Sequence, residues 1–362
     1  MKLETTAGQL HSALKMVSGL VERVAVSPVL TSIKIEDGRL TATNLDMAAS
    51  VTLPTIGKVE GTATVDYFAL SALAKHTAHD ERIALAEDSG LATASFNGSE
   101  YQMPSYPVSD FPDFGAVEGE ATRSDNAGLI HALRRVRFAM STEETRYYLN
   151  GVAFLLDRNE APMLCATNGH RLALMPLPAA PDGSIGSIVP RHTVNFLARQ
   201  KGEPSTVVFD QERRRSRFDL PGMTVSAKLI DGTFPDVNRV IPQDAVRLFS
   251  VDRAALMRTL RRLCAFSRSH GILRSVKLTG TPDGLTLSTS ADGRRASERM
   301  SFVSPPEKPF ECGYNADYLV DALAALNGET VAFASVDDIA NSPTIISAED
   351  DPLLIVQMPM RV

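Results

Sequence analysis

Residues 165–176 read CATNGHRLALMP and place a thiol, an imidazole and a guanidinium close together in the chain. A cysteine and a histidine could serve as nucleophile and general base if a third group oriented the imidazole. Cys165 and His170 are five positions apart, however, and an odd separation on a strand turns two side chains to opposite faces. Three interpretations therefore stand side by side: an active site, a structural role in which His170 caps a turn, and a binding surface.

The rest of the sequence offers little support for catalysis or metal binding. It contains no G-x-S-x-G, H-E-x-x-H, P-loop or G-x-G-x-x-G motif. The seven histidines lack the spacing of metal ligands, so neither a metal nor another cofactor is expected. Cys165, Cys264 and Cys312 are widely spaced and odd in number, which is typical of buried thiols in a reducing compartment.

The composition predicts a soluble, cytoplasmic globular protein. Apolar residues make up 44% of the 362 positions and charged residues 22%. The opening segment MKLETTAGQL lacks the apolar core of a signal peptide, and no apolar run reaches the roughly 18 residues that span a membrane. A chain of this length exceeds what one hydrophobic core usually organises, so two or three domains are expected.

Three related segments at a constant spacing indicate an internal repeat. TATNLDMAAS, CATNGHRLAL and STSADGRRAS centre on Asn44, Asn168 and Asp292, which follow one another at intervals of 124 positions. The segments DFPDF, TFPDV and QMPMRV recur at almost the same period. The pair His170 and Arg171 is not repeated in the other copies. This difference argues against catalysis and favours a binding surface particular to the second copy.

Each copy contains two segments with the apolar spacing of amphipathic helices. LHSALK, LIHALRR and LMRTLRR open the copies, and YFALSALAKH, HTVNFLARQ and DYLVDALAAL lie near their middles. Between the helices run strand-like segments such as LTSIKIE, STVVFD, VKLTG and TIISA, separated by turn residues. The sequence therefore predicts an α+β fold of three similar domains, over residues 1–120, 121–243 and 244–362.

Basic residues recur on the predicted helices although the whole chain carries a net charge of −6. The first predicted domain carries a net charge of −8, the second +4 and the third −2. Cations at the same place in successive copies predict a positive surface that contacts phosphates without reading bases. These residues are Lys15 on the first helix, Arg23 after it, and Lys75, Arg134, Arg135, Arg137, Arg199, Lys201, Arg258, Arg261 and Arg262. A separate basic cluster, RRRSR at 213–217, is predicted to be a solvated hairpin tip.

Four motifs resemble those of the bacterial sliding clamps, the beta subunits of DNA polymerase III. They are TRYYLNG (145–151), ATNGHRLAL (166–174), KLIDGTFPD (228–236) and MPMR (358–361), and the match continues in order along the whole chain. The resemblance implies a ring of two three-domain subunits joined head to tail, with helices lining the hole and antiparallel sheets outside. Duplex DNA would pass through the ring, a clamp loader would open it, and it would tether the replicative polymerase without performing chemistry.

The resemblance also implies three sets of contact residues. A pocket for short motifs of the polymerase, the clamp loader and other clamp-binding proteins is implied at Leu149, Thr167, Gly169, His170, Arg171, Leu172, Pro235, Arg239, Val240, Asn315, Tyr318, Val356, Met358, Pro359, Met360 and Arg361. DNA contacts are implied at Arg23, Arg146, Tyr147 and Tyr148. The homodimer contact is implied at Tyr101, Ala265 and Phe266.

Two other functions stay open at this point. A divergent clamp-like scaffold could recruit repair, plasmid or phage replication partners without serving the replicative polymerase. An enzyme could use His170, in which case replacing His170 with alanine would abolish turnover and leave peptide binding unchanged.

Overall fold

A computed structural model of the chain describes residues 1–25, 27–123, 128–266, 275–291, 293–336 and 339–362. Asp292, the third centre of the sequence repeat, lies outside these residues. The described chain has a mixed α+β fold built on antiparallel sheets. It divides into two compact units. The first comprises residues 1–130, 181–184 and 195–229, and the second comprises residues 131–180, 185–194 and 230–362.

The first unit contains two antiparallel sheets among the residues described. One has the strand order β5-β1-β7-β8-β9, and the other has the order β10-β15-β16-β17-β4-β3-β2-β6. The strands are β1 (Lys2–Thr6), β2 (Ser32–Glu36), β3 (Arg39–Thr43), β4 (Met47–Thr52), β5 (Ile56–Glu60), β6 (Ala63–Asp66), β7 (Arg82–Asp88), β8 (Leu91–Phe96), β9 (Ser99–Pro104), β10 (Ala121–Arg123), β15 (Thr206–Asp210), β16 (Arg215–Leu220) and β17 (Met223–Lys228). Ala49 of β4 lies opposite Val225 of β17, so the larger sheet joins strands of the first and second sequence repeats.

The second unit repeats this arrangement in its own described residues. Its larger sheet has the order β14-β11-β12-β13-β25-β24-β23-β18, and its smaller sheet has the order β21-β20-β19-β22. The strands are β11 (Gly151–Leu156), β12 (Pro162–Thr167), β13 (Arg171–Pro176), β14 (Ile188–Pro190), β18 (Val246–Asp252), β19 (Ser275–Thr281), β20 (Gly284–Ala291), β21 (Arg294–Met300), β22 (Phe310–Asn315), β23 (Thr330–Ser335), β24 (Thr344–Ala348) and β25 (Leu354–Gln357). Ala173 of β13 lies opposite Ile355 of β25, which joins the second and third repeats.

The helices confirm the six amphipathic segments predicted from the sequence. They are α1 (Ala7–Val17), α2 (Tyr67–His76), α3 (Leu129–Val136), α4 (Arg191–Leu197), α5 (Arg253–Phe266) and α6 (Ala316–Ala325). Helix α1 shows the local cause: Thr6 and Gln9 form a capping box at its start, and Leu10 and Leu14 are fully buried. Helix α1 packs on α2, and α5 packs on α6. The division into three domains stays a prediction.

The basic cluster RRRSR forms a turn and the start of a strand, as predicted for a hairpin tip. Its side chains are engaged with the segment that precedes β10. Arg213 lies 2.6 Å from Glu118, and Arg215 donates a hydrogen bond of 2.6 Å to the carbonyl oxygen of Phe114. The Arg215 guanidinium also lies over the Phe114 ring, 5.1 Å from its centre. These contacts attach residues 114–118 to the larger sheet of the first unit.

The turn at the centre of the sequence repeat has the same hydrogen bonds in the first two copies. Asn44 Oδ1 accepts hydrogen bonds from the two amides of Asp46 and Met47, two and three residues later. Asn168 Oδ1 does the same for the amides of His170 and Arg171. Such side-chain bonds stabilise tight turns. The same asparagine geometry therefore builds both copies.

The residue after each asparagine adopts a left-handed conformation, at a cost that differs between the copies. Gly169 has φ +86°, whereas Leu45 has φ +74° and carries a side chain there. Left-handed geometry costs a residue with a Cβ atom about 1–2 kcal/mol, and glycine avoids this cost. Glycine also makes the unfolded chain more flexible, which offsets about 0.5–1 kcal/mol of the stabilisation. Leu45→Gly is therefore expected to raise the melting temperature modestly. Leu45→Ala keeps the strain and is the matched control; equal melting temperatures for the two variants would contradict the explanation.

Candidate functional site

A pocket of about 290 Å³ opens in the second unit beside the turn between β12 and β13. Its lining residues are Arg146, Tyr148, Leu149, Thr167, Gly169, His170, Arg171, Leu172, Pro235, Asp236, Val237, Val240, Val356 and Met358. Leu149, Leu172, Val237 and Val356 also belong to the buried hydrophobic core of this unit. The pocket is thus an apolar depression with polar groups at its edge, which is the usual form of a site for a small or peptide ligand.

The 168–170 turn forms one wall of the pocket. Thr167 Oγ1 donates a hydrogen bond of 2.7 Å to the carbonyl oxygen of Arg171 and accepts one of 3.1 Å from the Gly169 amide. The positive φ of Gly169 favours glycine, and a Cβ atom there would lie 2.5 Å from Nη1 of Arg146, whose side chain would have to shift. Thr167 and Gly169 therefore fix the wall, and the exposed His170 stands at its rim.

The Arg171 side chain supports this wall from beneath. Its guanidinium lies 4.2 Å from the centre of the Tyr318 ring and 5.1 Å from that of Phe138, and its Nη1 lies 2.7 Å from Oδ2 of Asp321. Asn168 Nδ2 donates a hydrogen bond of 3.2 Å to the Tyr318 hydroxyl. Cation–π contacts and an ion pair around one buried guanidinium form a rigid arrangement. Tyr318 therefore acts on the pocket through Arg171 rather than from its lining.

The segment after β25 forms the opposite wall. Met358 is about two-fifths exposed, and its amide donates a hydrogen bond of 2.9 Å to the carbonyl oxygen of His170. Ten of the sixteen residues predicted for the pocket line it. The other six do not: Arg239, Asn315, Tyr318, Pro359, Met360 and Arg361. Asn315 instead caps helix α6, accepting hydrogen bonds from the amides of Asp317 and Tyr318.

Asp236 and Val237 also line the pocket but were not predicted from the sequence, and Arg146 and Tyr148 were predicted only as DNA contacts. Val237 was detectable in principle, because it lies in FPDVNRV between Pro235 and Val240, which were both predicted for the pocket. The presence of Arg146 in the pocket could not be predicted from the sequence, because it depends on a close approach to Gly169, which lies 23 residues later in the chain.

Cys165 and His170 do not form a catalytic pair. Cys165 is fully buried in the core cluster, whereas His170 is exposed in the turn. Burial raises the pKa of the Cys165 thiol well above its ordinary value, so the thiolate needed for nucleophilic attack is disfavoured. The structure thus separates the two groups that suggested an active site.

Burial of Cys165, Cys264 and Cys312 gives a prediction about thiol reactivity. In the native protein at about pH 8, a disulfide reagent is expected to label none of the three thiols, and unfolding in urea should expose all three to it.

The Cys165 thiol also predicts a pH dependence of stability. In the unfolded chain it ionises when the pH exceeds its ordinary pKa of about 8.5, whereas burial keeps it protonated in the native protein. The free energy of unfolding should therefore fall as the pH rises above that value. Rapid labelling of native Cys165 would contradict this account.

Most of the basic residues predicted for DNA are exposed. The exposed ones are Lys15, Arg23, Lys75, Arg134, Arg137, Arg199, Lys201, Arg258, Arg261 and Arg262. Some of the predicted cations have acidic partners: Arg146 pairs with Glu143 at 2.7 Å, and Arg262 pairs with Glu298. The Arg262 guanidinium, hydrogen-bonded to Glu298, holds the pKa of that carboxyl below its usual range. Tyr147 is about half exposed, and Tyr148 is partly buried at the pocket.

The prediction that Arg135 contacts DNA is wrong. Its side chain is 9% exposed, and its Nη2 lies 2.7 and 2.5 Å from the two carboxylate oxygens of Asp351, whose side chain is 1% exposed. Its Nε donates a further hydrogen bond of 2.7 Å to the carbonyl oxygen of Ala325. Arg135 follows Arg134 on α3 by one position, which turns it by about 100° into the protein. The Arg135 charge therefore stabilises the folded protein through its buried ion pair with Asp351.

The residues predicted for the dimer contact are exposed. Tyr101 lies on β9, which is the last strand of its sheet, and its ring stacks on Phe96 with centroids 5.4 Å apart. Ala265 and Phe266 end helix α5, and Phe266 is about half exposed. Exposed aromatic side chains are common at protein interfaces.

Among the residues that the structure describes, no group of three or more His, Cys, Asp or Glu side chains is placed to hold a metal ion. None of the helices described is both long and apolar enough to cross a membrane.

Comparison with known proteins identifies the family. Residues 125–236 match the DNA polymerase III beta subunit, central domain, and residues 238–361 match its C-terminal domain. The beta sliding clamp of Caulobacter vibrioides strain NA1000 is 34% identical over the full length of both chains. The solved Caulobacter crescentus pol III beta structure covers both chains fully, with 32% identity and a TM-score of 0.88. The Bartonella birtlesii sliding clamp bound to griselimycin also covers both fully, with 30% identity and a TM-score of 0.89. The chain therefore belongs to the family of DNA polymerase III beta subunits, the beta sliding clamps.

Proposed function

We propose that this chain is a DNA sliding clamp, which encircles duplex DNA as a homodimeric ring and tethers the replicative polymerase and other DNA-processing proteins. The observation that carries the proposal is the full-length match to beta sliding clamps in both sequence and fold. Its role is to keep enzymes on DNA and not to perform chemistry itself. The separation of Cys165 from His170 supports this part of the proposal.

The pocket beside the 168–170 turn is proposed as the docking site for peptide motifs of the polymerase, the clamp loader and other partners. Leu172, Val356 and Met358 offer apolar walls that a short extended peptide could fill with its own apolar side chains. Methionine adapts its shape to different ligands, which suits a pocket that serves several partners. Leu149, Thr167, Gly169, His170, Arg171, Leu172, Pro235, Val240, Val356 and Met358 are the residues proposed to form it.

The exposed predicted cations are proposed to face the DNA backbone. Lys15, Lys75, Arg134, Arg258, Arg261 and Arg262 lie on helices, whereas Arg23, Arg137, Arg199 and Lys201 lie outside α1–α6, which differs from the sequence prediction for Arg137, Arg199 and Lys201. The whole chain has a net charge of −6, so non-specific attraction to DNA needs a local concentration of positive charge. Helix α5 contributes to such a concentration with the exposed Arg258 and Arg261, while the charge of the exposed Arg262 is paired with Glu298. Weak contacts of this kind allow sliding, because each is salt-dependent and independent of base sequence.

In the proposed dimer, an edge strand of a sheet in one subunit pairs with an edge strand of a different sheet in the other subunit. Strand β9 ends the smaller sheet of the first unit, and β21 ends the smaller sheet of the second. Among the residues that the structure describes, each of these strands has a neighbouring strand on one side and none on the other, so its outer edge is a ready site for strand addition. The charges are complementary: β9 carries Glu100, whereas β21 carries Arg294, Arg295 and Arg299 together with Glu298, which is paired with Arg262. A stable monomer by mass measurement in solution would contradict the ring.

The tethering function is tested by loading the protein with its clamp loader onto nicked circular DNA. A ring held topologically should remain on the circle in high salt and should slide off once the circle is linearised. A protein that stays on linear DNA, with binding that falls steeply as salt rises, would be an ordinary DNA-binding protein. That result would overturn the proposal.

A further inference from the structure

Residues 358–362, the tail, cross strand β22 of the smaller sheet in the second unit. The Met360 amide donates a hydrogen bond of 2.9 Å to the carbonyl oxygen of Gly313. The Val362 side chain comes to rest against the same glycine, which is buried. The tail is thus held at two places: at His170 through the Met358 amide, and at Gly313.

Position 313 requires glycine because neighbouring atoms leave no room for a side chain, and not because of its backbone conformation. Gly313 is not among the residues with positive φ, so other residues could adopt its backbone angles. A Cβ atom there, however, would lie 2.6 Å from both methyl carbons of Val362 and closer still to the carbonyl oxygen of Met360. Any side chain at this position therefore requires either the strand or the tail to move.

The tail is the part that can move. Strand β22 pairs with β19 over its whole length, from Asn315 opposite Ser275 to Phe310 opposite Gly280. Displacing it would break a continuous ladder of backbone hydrogen bonds. Lifting the tail from Gly313 breaks the single bond from the Met360 amide and leaves that ladder intact.

We infer that Gly313 is a positioning residue for the partner pocket, because only a glycine lets the tail dock and hold Met358 in the pocket wall. Gly313 does not line the pocket, and neither does Met360. Their effect is transmitted along two residues of chain to Met358. The inference rests on the proposed function of the pocket as a peptide site.

Tail docking and peptide binding are then linked in both directions. A peptide that packs against Met358 favours the docked tail, and by linkage the docked tail favours the peptide to the same extent. Peptide binding should therefore slow hydrogen exchange of the Met360 amide, which lies outside the pocket. A tail that played no part in binding would show no such change.

The test compares Gly313→Ala with a control in the same sheet, Gly280→Ala. A Cβ atom at position 280 would clash with the Phe310 ring and not with the tail. Both variants introduce one methyl group into the same sheet, so both should lose some stability. Only Gly313→Ala is expected to speed exchange of the Met360 amide and to weaken binding of a labelled peptide carrying the clamp-binding segment of the replicative polymerase, by roughly tenfold.

A second variant covers the case in which Gly313→Ala fails to fold. Met360→Pro removes the amide donor to Gly313 while leaving the glycine and the pocket lining unchanged, and it should weaken the same peptide in the same direction. Faster Met360 exchange with unchanged peptide affinity in Gly313→Ala overturns the inference. Unchanged peptide affinity in Met360→Pro, which has no amide at position 360, overturns it as well. Equal loss of affinity in Gly280→Ala also overturns it. Failure of the unaltered protein to bind the peptide would instead contradict the proposed function of the pocket.

Discussion

Met358→Ala is expected to weaken partner-peptide binding by roughly 10- to 100-fold while leaving the dimer and the free energy of unfolding almost unchanged. Met358 lines the pocket and is about two-fifths exposed, so it contributes apolar contact to a ligand more than to the core. Deletion of residues 358–362 removes this wall together with the hydrogen bond from Met360 to Gly313, and it is expected to abolish binding. Isothermal titration calorimetry with the polymerase segment measures both effects.

Two control variants separate the pocket from the rest of the tail. Met358→Leu keeps the apolar volume and should retain most of the affinity. Arg361→Ala changes an exposed side chain outside the pocket and should have little effect. Normal affinity in the protein lacking residues 358–362 would rule out this pocket as the docking site.

Arg135→Ala is expected to lower the free energy of unfolding by about 3–5 kcal/mol. The substitution leaves the carboxylate of Asp351 buried without its cationic partner, although the amides of Asn327 and Leu353 still donate to it. Urea denaturation followed by circular dichroism measures the change. The neighbouring Arg134→Ala is the matched control, because Arg134 is exposed, and its effect should stay within about 0.5 kcal/mol.

A paired replacement distinguishes loss of the ion pair from loss of packing. Arg135→Met combined with Asp351→Leu removes both charges and keeps apolar volume, so it should restore much of the stability lost in Arg135→Ala. If Arg134→Ala and Arg135→Ala proved equally mild, the ion pair would contribute little. The same result would reopen the possibility that Arg135 reaches DNA.

The helices and the central turn were predictable because their causes are local. Leucines four positions apart place α1, α3 and α5, and the asparagine at the repeat centre closes the same turn in two copies. Most of the pocket could be anticipated as well, because its residues cluster in motifs shared with a known family. Ten of the predicted residues meet in one cavity.

What the sequence could not predict depends on partners far along the chain. Arg134 and Arg135 look equivalent until Asp351, 216 positions later, takes one of them into the interior. Arg171 lines the pocket as expected, but the contacts of its guanidinium with Tyr318 and Asp321, about 150 positions later, could not be read from the sequence. Long side chains with several possible partners are therefore the least predictable part of this site.

The two larger sheets run across the boundaries of the sequence repeat, through β4 with β17 and β13 with β25. A fragment cut at residue 120 would leave β4 with a row of unsatisfied amides and carbonyls along its open side. Such a fragment is a candidate for aggregation or for swapping strands with a second fragment. The repeat therefore describes the organisation of the sequence. A fragment that stays soluble is expected to contain more than one repeat, because a single repeat exposes an unpaired strand.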